Sequence, residues 1–363
     1  MKKYLIIVIA LLIVFSNGCS KNKYGEVLYN NNYELSKLIL GLSYVPDSND
    51  EYRENTLTHL EALNINKVRM GQNWTLREPS MGEYNMQPVV DRLNFYSDNN
   101  IEVLMTIDTK LIPDWAMELN RESFLYRFRD FIKTMLDEYG SHISIVQFGN
   151  EWDWEIDKYL NGDVSLFIEM NNILYDEVME METDKRPVVS LSSISIGGLR
   201  SLAFSQDRID NVYFDNKKLY SNDEIRQYEP MIVATNKRAS NILKECKYDM
   251  IDIHLYDDYW NWQHYVNAIN QIISEVDIDE KIPIIASEFG GPDPDMEPQD
   301  DEYRANQLYY YVKTLDEINI DSAYYFKLHE HTSNDAIYHP YSYLIDKDGN
   351  TTETYEVLRK FGE

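Results

Sequence analysis

Ile143-Ser144-Ile145-Val146-Gln147-Phe148-Gly149-Asn150-Glu151-Trp152 is the stretch from which the rest of the chain is best read. A short apolar run, too brief for a helix, stops at a glycine, and polar residues follow at once. The pattern predicts a buried strand that delivers Asn150 and Glu151 to its C-terminal end. The same kind of run recurs on either side. Strands are predicted at Leu38–Tyr44, Asn66–Met70, Ile101–Ile107, Ile143–Phe148, Pro187–Leu191, Met250–His254, Ile282–Ala286 and Ser322–Phe326. Helical patterns lie between them. Phe124, Phe128, Phe131 and Met135 share one face, as do Val266, Ile269, Ile272 and Val276, and then Leu308, Val312 and Leu315. Strand–helix alternation predicts a parallel sheet covered by helices, and eight units predict an α/β fold of the (β/α)8 TIM-barrel kind in a single domain. A doubly wound open sheet would carry a glycine-rich phosphate loop after its first strand, whereas Gly41-Leu42-Ser43-Tyr44 offers one glycine. The longest irregular stretch, Ser192 to Pro230, is read as an elaborated loop after strand five.

Composition narrows the functional classes. The chain has 363 residues, with 34 Lys+Arg against 62 Asp+Glu, a formal charge of −28. Polyphosphate backbones need a basic surface, so no nucleic-acid partner is expected. An aromatic content of 13%, with 29 tyrosines, argues for a folded chain. The N-terminus reads as an export signal over residues 1–18. Lys2 and Lys3 precede the apolar run Tyr4–Phe15, which is short of the roughly 20 residues of a membrane span. Ser16, Asn17 and Gly18 lead to Cys19, a pattern similar to a bacterial lipoprotein signal with Cys19 as the lipidated residue. The expected organisation is therefore a signal (1–18), a tether (19–37) and a catalytic barrel (38–363), exported and held to a membrane by lipid. Cys246 is the only other cysteine, which leaves no cysteine framework for zinc.

In such barrels the reactive groups sit where strands end. Strand four ends in Asn150-Glu151, and strand seven in Ser287-Glu288-Phe289-Gly290-Gly291. Two carboxylates across one mouth suit hydrolysis of a glycosidic bond, one protonating the leaving oxygen while the other attacks. These paired motifs resemble the large clan of retaining β-glycoside hydrolases on the (β/α)8 barrel. The resemblance implies Glu151 as general acid/base and Glu288 as nucleophile. It also implies that Asn150 bonds the sugar 2-hydroxyl and that no cofactor is needed. Asp252-Ile253-His254-Leu255-Tyr256 is similar to the clan's His-x-Tyr, with Tyr256 donating to Glu288 and His254 beside it. Arg69 resembles the strand-two arginine near the nucleophile, where a cation lowers a carboxylate pKa. Its alternative is a structural ion pair.

The six tryptophans all follow predicted strand ends. Trp74, Trp115, Trp152 and Trp260 are expected as sugar-stacking subsites, while Trp154 and Trp262 are read as structural. The clan usually has a tryptophan at the end of strand eight; here Phe326 occupies that place, followed by Lys327. No metal site is expected: His329-Glu330-His331 lacks a third ligand position, and Asp293–Glu302 reads as a solvated acidic loop. Asp348-Gly349 reads as a tight turn. The expected partner is an oligo- or polysaccharide. A non-catalytic glycan-binding surface lipoprotein and a transglycosylase are the alternatives.

Overall fold

The computed structural model describes residues 33–209, 211–213, 219–221, 229–275, 281–291, 300–330 and 342–363. The signal, Cys19, most of the tether, Val276, His331 and most of Asp293–Glu302 lie outside these residues.

Eight parallel strands close into a barrel: β1 (Ile39–Ser43), β2 (Lys67–Asn73), β3 (Glu102–Asp108), β4 (Ile145–Phe148), β5 (Val188–Ile194), β6 (Met250–Tyr256), β7 (Ile284–Gly290) and β8 (Ser322–Phe326). β1 closes the ring by pairing with both β2 and β8. All eight predicted strands are present, shifted at their ends by a few residues. The helices cover them as the apolar periodicity requires. Phe124, Phe128, Phe131 and Met135 are buried on Arg121–Tyr139, and Leu308, Val312 and Leu315 on Asp301–Glu317.

The stretch read as a loop after strand five is partly regular. β5 runs on to Ile194, a helix spans Ile196–Ser205, and Asn211–Tyr213 pairs antiparallel with Leu219–Ser221. Ser195 caps the helix by accepting from the Gly198 N–H, and Leu199, Leu202 and Ala203 are buried. Gly197-Gly198 reads as a loop in sequence. In space Gly198 permits close packing, because a Cβ there would lie 2.8 Å from an oxygen of Asp153.

Side chains alternate across each strand, so β6 sorts itself into two faces. Ile251, Ile253 and Leu255 join the outer core under the helices. Met250 joins Leu104, Ile145, Ile285 and Tyr324 in a separate apolar cluster that fills the barrel floor. Gly41 makes room for that floor, since a Cβ there would meet the Tyr324 ring at 2.5 Å. Above Met250, on the same face, come Asp252, His254 and Tyr256.

β7 breaks the alternation. Ile285 pairs with Asp252 but Glu288 pairs with His254, so β7 carries one more residue than β6 over this span. Its register with β8 slips at the same place, between Ala286 and Phe289. Such a bulge re-aims the residues beyond it. Ile284 and Ala286 face the outer core and Ile285 the floor, yet Ser287 and Glu288 both reach polar groups of the interior, and Phe289 returns to the outer core.

The chain enters at the opposite end from the mouth. There the Asp316 carboxylate accepts hydrogen bonds from the backbone N–H groups of Ser36, Lys37 and Leu38 and from the Tyr33 hydroxyl at 3.0–3.1 Å. Burial would raise its pKa, but these donors bring it down to about 2.

Candidate active site

The end of β4 turns sharply before a helix begins at Trp152. Gly149 has φ 82° and Glu151 φ 43°, both left-handed. A non-glycine residue held there is strained, and such strain concentrates at working sites. The turn leaves the Glu151 side chain 20% exposed. Its Oε2 accepts from Trp154 Nε1 at 2.6 Å, and its Oε1 lies 2.9 Å from His254 Nδ1. The Glu151 N–H donates to Ser193 Oγ at 3.0 Å.

Glu288 sits deeper and is gripped on both oxygens. Arg69 Nη1 donates to Oε1, and the Tyr256 hydroxyl donates to Oε2 at 2.6 Å. His254 Nδ1 is 3.6 Å from the same Oε2. Burial by itself would raise the carboxyl pKa. The charges of His254 and Arg69, with the hydrogen bonds from Tyr256 and Arg69, overturn that and hold it at about 2. Burial likewise works against a charged His254 ring, yet Glu288 and Glu151 raise its pKa above the ordinary value.

Arg69 ties the two motifs together. Besides Glu288, it donates from Nη2 to Asn150 Oδ1 at 2.6 Å and from Nε to Thr106 Oγ1 at 3.1 Å. Its ion-pair partner is thus Glu288 itself. Asn150 is further steadied by Glu155, whose carboxylate accepts from the Asn150 N–H at 3.3 Å and the Thr109 hydroxyl at 2.5 Å. Asp153 stands behind Glu151. Burial and the charge of Glu151 push its pKa up to about 7, against the two hydrogen bonds from Ser195.

Two of the proposed sugar platforms need correction. Trp74 is 1% exposed, stacked on Phe131 and edge-on to Phe124 and Phe128, with its Nε1 bonded to Glu78. Trp152 is 2% exposed and part of the outer core. Neither has a free face for a sugar ring. Both follow strand ends, but the chain turns them inward under the helices. Trp115 is half-buried and packs edge-on against Trp74. Trp260 is 47% exposed, and Trp262 is fully buried, as its structural reading requires. Trp154, read as structural, instead touches Glu151. Phe326 is partly buried between Tyr44 and Tyr256, in edge contact with both rings. Lys327 is buried, its Nζ 5.1 Å from the Phe326 ring centre. Tyr44, half exposed at the end of β1, was not singled out from sequence. It also lines a cavity of about 610 Å³ with Pro46, Tyr52, Asn55, His329 and Glu330. Among the described residues no group of three His, Cys, Asp or Glu side chains is arranged to hold a metal ion. His329 packs edge-on to His59.

Fold and site define the class: a closed (β/α)8 barrel with a glutamate at the C-terminal end of β4 and another at that of β7, facing one histidine. Comparison agrees on the barrel and, over its C-terminal part, on a glycosidase core. Residues 231–357 match the family model described as glycosyl hydrolase catalytic core. Among solved structures, the chain is similar to an exo-β-1,4-mannosidase from an Opitutaceae bacterium (13% identity, TM-score 0.62), covering 91% of this chain and 60% of that one. It is also similar to a β-glucosidase from Exiguobacterium antarcticum (12%, TM-score 0.58), covering 84% of each. A glycoside hydrolase family 10 endo-β-1,4-xylanase gives 13% and a TM-score of 0.58, covering 89% of this chain and 96% of that one. At these identities the likeness is one of fold. Shorter alignments reach two tRNA dimethylallyltransferases. The one from Hydrogenobaculum sp. is 31% identical over 97 residues, and the one from Thermodesulfovibrio yellowstonii 28% over 177. The chain spans 33% and 56% of the lengths of these two relatives.

Proposed function

We propose that the protein is a retaining glycoside hydrolase acting on β-linked oligo- or polysaccharides. Glu288 attacks the anomeric carbon while Glu151 protonates the departing oxygen. A glycosyl–enzyme ester forms, and Glu151 then takes a proton from the water that releases the sugar. One observation carries the reading. Oxygens of both glutamates face the same nitrogen, His254 Nδ1, at 2.9 Å and 3.6 Å, so the two oxygens are at most the sum of these, 6.5 Å, apart. Retaining enzymes hold their carboxyl groups at roughly 5–5.5 Å, and inverting enzymes keep about 6.5–9.5 Å to admit a water. The ionised state of Glu288 supports the same assignment, because a nucleophile must be deprotonated. The cavity at Tyr44, whose ring packs against Phe326 and through it toward Tyr256, is the candidate place for a further sugar unit.

The test is Glu288→Ala with azide. Turnover is expected to vanish, and azide is expected to return an α-glycosyl azide from a β-glycoside. Full activity in the variant would overturn the reading. A glycan-binding lipoprotein that lacks catalysis has no use for a carboxylate held ionised beside a second one. A panel of aryl β-glycosides and polysaccharides separates the two. The partial likeness to tRNA dimethylallyltransferases favours no nucleic-acid reading, since a formal charge of −28 repels a polyanion. Export and anchoring through Cys19 belong to the same proposal; Cys19→Ala is expected to release the protein from the membrane fraction.

A further inference from the structure

We propose that Ser287 and Asp252 are positioning residues that fix the tautomer of His254, so that a proton is kept between His254 Nδ1 and Glu151 before the first chemical step. The inference rests on the glycosidase reading above and assigns work to two residues that touch no substrate.

Asp252, His254 and Ser287 are completely buried. The Ser287 N–H donates to Asp252 Oδ1 at 2.8 Å, and the Ser287 hydroxyl donates to Asp252 Oδ2 at 2.5 Å. A hydroxyl has a single hydrogen. Spent on Asp252, it leaves only lone pairs to face His254 Nε2, 3.1 Å away. Nε2 must then carry its own hydrogen to make that contact. The nitrogen whose state can change is therefore Nδ1, the atom between the two glutamates. With a neutral ring, Nδ1 accepts the hydrogen of protonated Glu151. With a charged ring, Nδ1 donates to ionised Glu151. Either way one proton serves the pair, and it is available for the leaving oxygen. The opposite tautomer would place a hydrogen on Nδ1 without adding a proton. It would hold Glu151 ionised, and the acid would be lost.

The bulge in β7 makes the arrangement possible, because in a regular strand Ser287 and Glu288 would face opposite sides. The charged and titratable groups that face this chain of contacts are Glu151 from the end of β4 with Asp153 behind it, Glu288 from β7, Tyr256 from β6, Arg69 from β2 and Tyr324 from β8.

Asp252→Asn is the sharpest variant. An amide nitrogen in place of Oδ2 would donate to Ser287 Oγ, turn the Ser287 hydrogen toward Nε2 and drive the proton to Nδ1. With an oligosaccharide, whose leaving group needs protonation, kcat/KM at neutral pH is expected to fall about tenfold. The high-pH limb should move about one unit lower, as Glu151 ionises earlier. With a dinitrophenyl glycoside, whose leaving group departs unaided, the rate should stay within about twofold. Ser287→Ala should behave alike, and it carries the test if Asp252→Asn does not fold. Equal losses on both substrates with unmoved limbs would overturn the proposal. The ¹⁵N chemical shifts of His254 read the tautomer without any turnover, so they separate this inference from the function. Should the wild type cleave no glycoside, the glycosidase reading falls. A hydrogen on Nδ1 in the neutral wild-type ring would sink the tautomer proposal by itself.

Discussion

Glu288 and Glu151 share a histidine and differ in almost everything else. Glu288 comes from within a strand, is 11% exposed at its side chain, and is held by an arginine and a tyrosine that are themselves buried. Glu151 comes from a strained turn, is 20% exposed, and is held by one partly buried indole and one histidine. The arginine keeps its charge at any working pH. The histidine can change its charge. The contrast teaches that one carboxylate lies deep and is gripped on both oxygens by buried donors while its neighbour stands nearer solvent on a strained turn, an asymmetry that suits the two-step displacement proposed above.

The largest expected effect tests that division directly. Glu288→Gln should lower kcat/KM by about 10⁴-fold or more on every substrate. Glu151→Gln should do comparable damage on oligosaccharides; with dinitrophenyl glycosides it should spare most of kcat/KM while kcat falls, because the water that releases the sugar loses its base. Steady-state kinetics on both substrate types would expose a wrong assignment if the two variants behaved alike. Arg69→Met comes next. It removes the fixed cation and a donor to Glu288, and should cost about 10²–10³-fold in kcat/KM. Because Glu288 is held at about 2, its ionisation should not limit activity at mildly acid pH in the wild type. In the variant the carboxyl rises, so the acid limb should move upward. A stability readout has the matching sign. A depressed carboxyl favours the folded state above its unfolded value, and that contribution fades as pH falls towards about 2. Trp154→Phe keeps an aromatic ring, though a smaller one, and deletes the hydrogen bond to Glu151. It should lower kcat about tenfold on oligosaccharides, the scale of one hydrogen bond to a charged group, with little change in thermal midpoint. Smallest of all, Trp260→Ala should leave unfolding free energy within about 0.5 kcal/mol of wild type, as for other exposed positions. Any clear loss of oligosaccharide affinity there would mark it as a sugar contact.

Much of this molecule can be read from the chain alone, and the reason is periodicity. Buried strands must be short apolar runs, and a parallel barrel must send all their C-terminal ends to one mouth, so Glu151 and Glu288 stand out as acids at two such ends. Arg69, His254 and Tyr256 are picked out by the resemblance of strands two and six to the clan's motifs, not by the periodicity itself. What stays hidden depends on register and on burial of single side chains. Trp74 and Trp260 both follow strand ends, but one packs against phenylalanines of a covering helix and the other meets solvent; no local pattern separates them. Trp154 looks like a helix-start residue, and its contact with Glu151 depends on the left-handed turn before it. The role of Ser287 is invisible because alternation, read naively, assigns it and Glu288 to opposite faces. The helix after strand five is masked by paired glycines that act through packing.

The surplus residue in β7 makes the chemistry depend on counting. Removing Ala286 alone would delete one small apolar side chain and hardly alter composition or charge. It would also restore simple alternation beyond that point. Glu288, then two residues after Ile285, would still face the interior, while Ser287 would turn toward the helices and leave Asp252 and His254. Relatives that lose a single codon in this strand should therefore keep the glutamate in place yet lose the serine that faces the histidine, even where the sequence around both is unchanged. Such a deletion would part the attacking carboxylate from the device that steers the proton beside it.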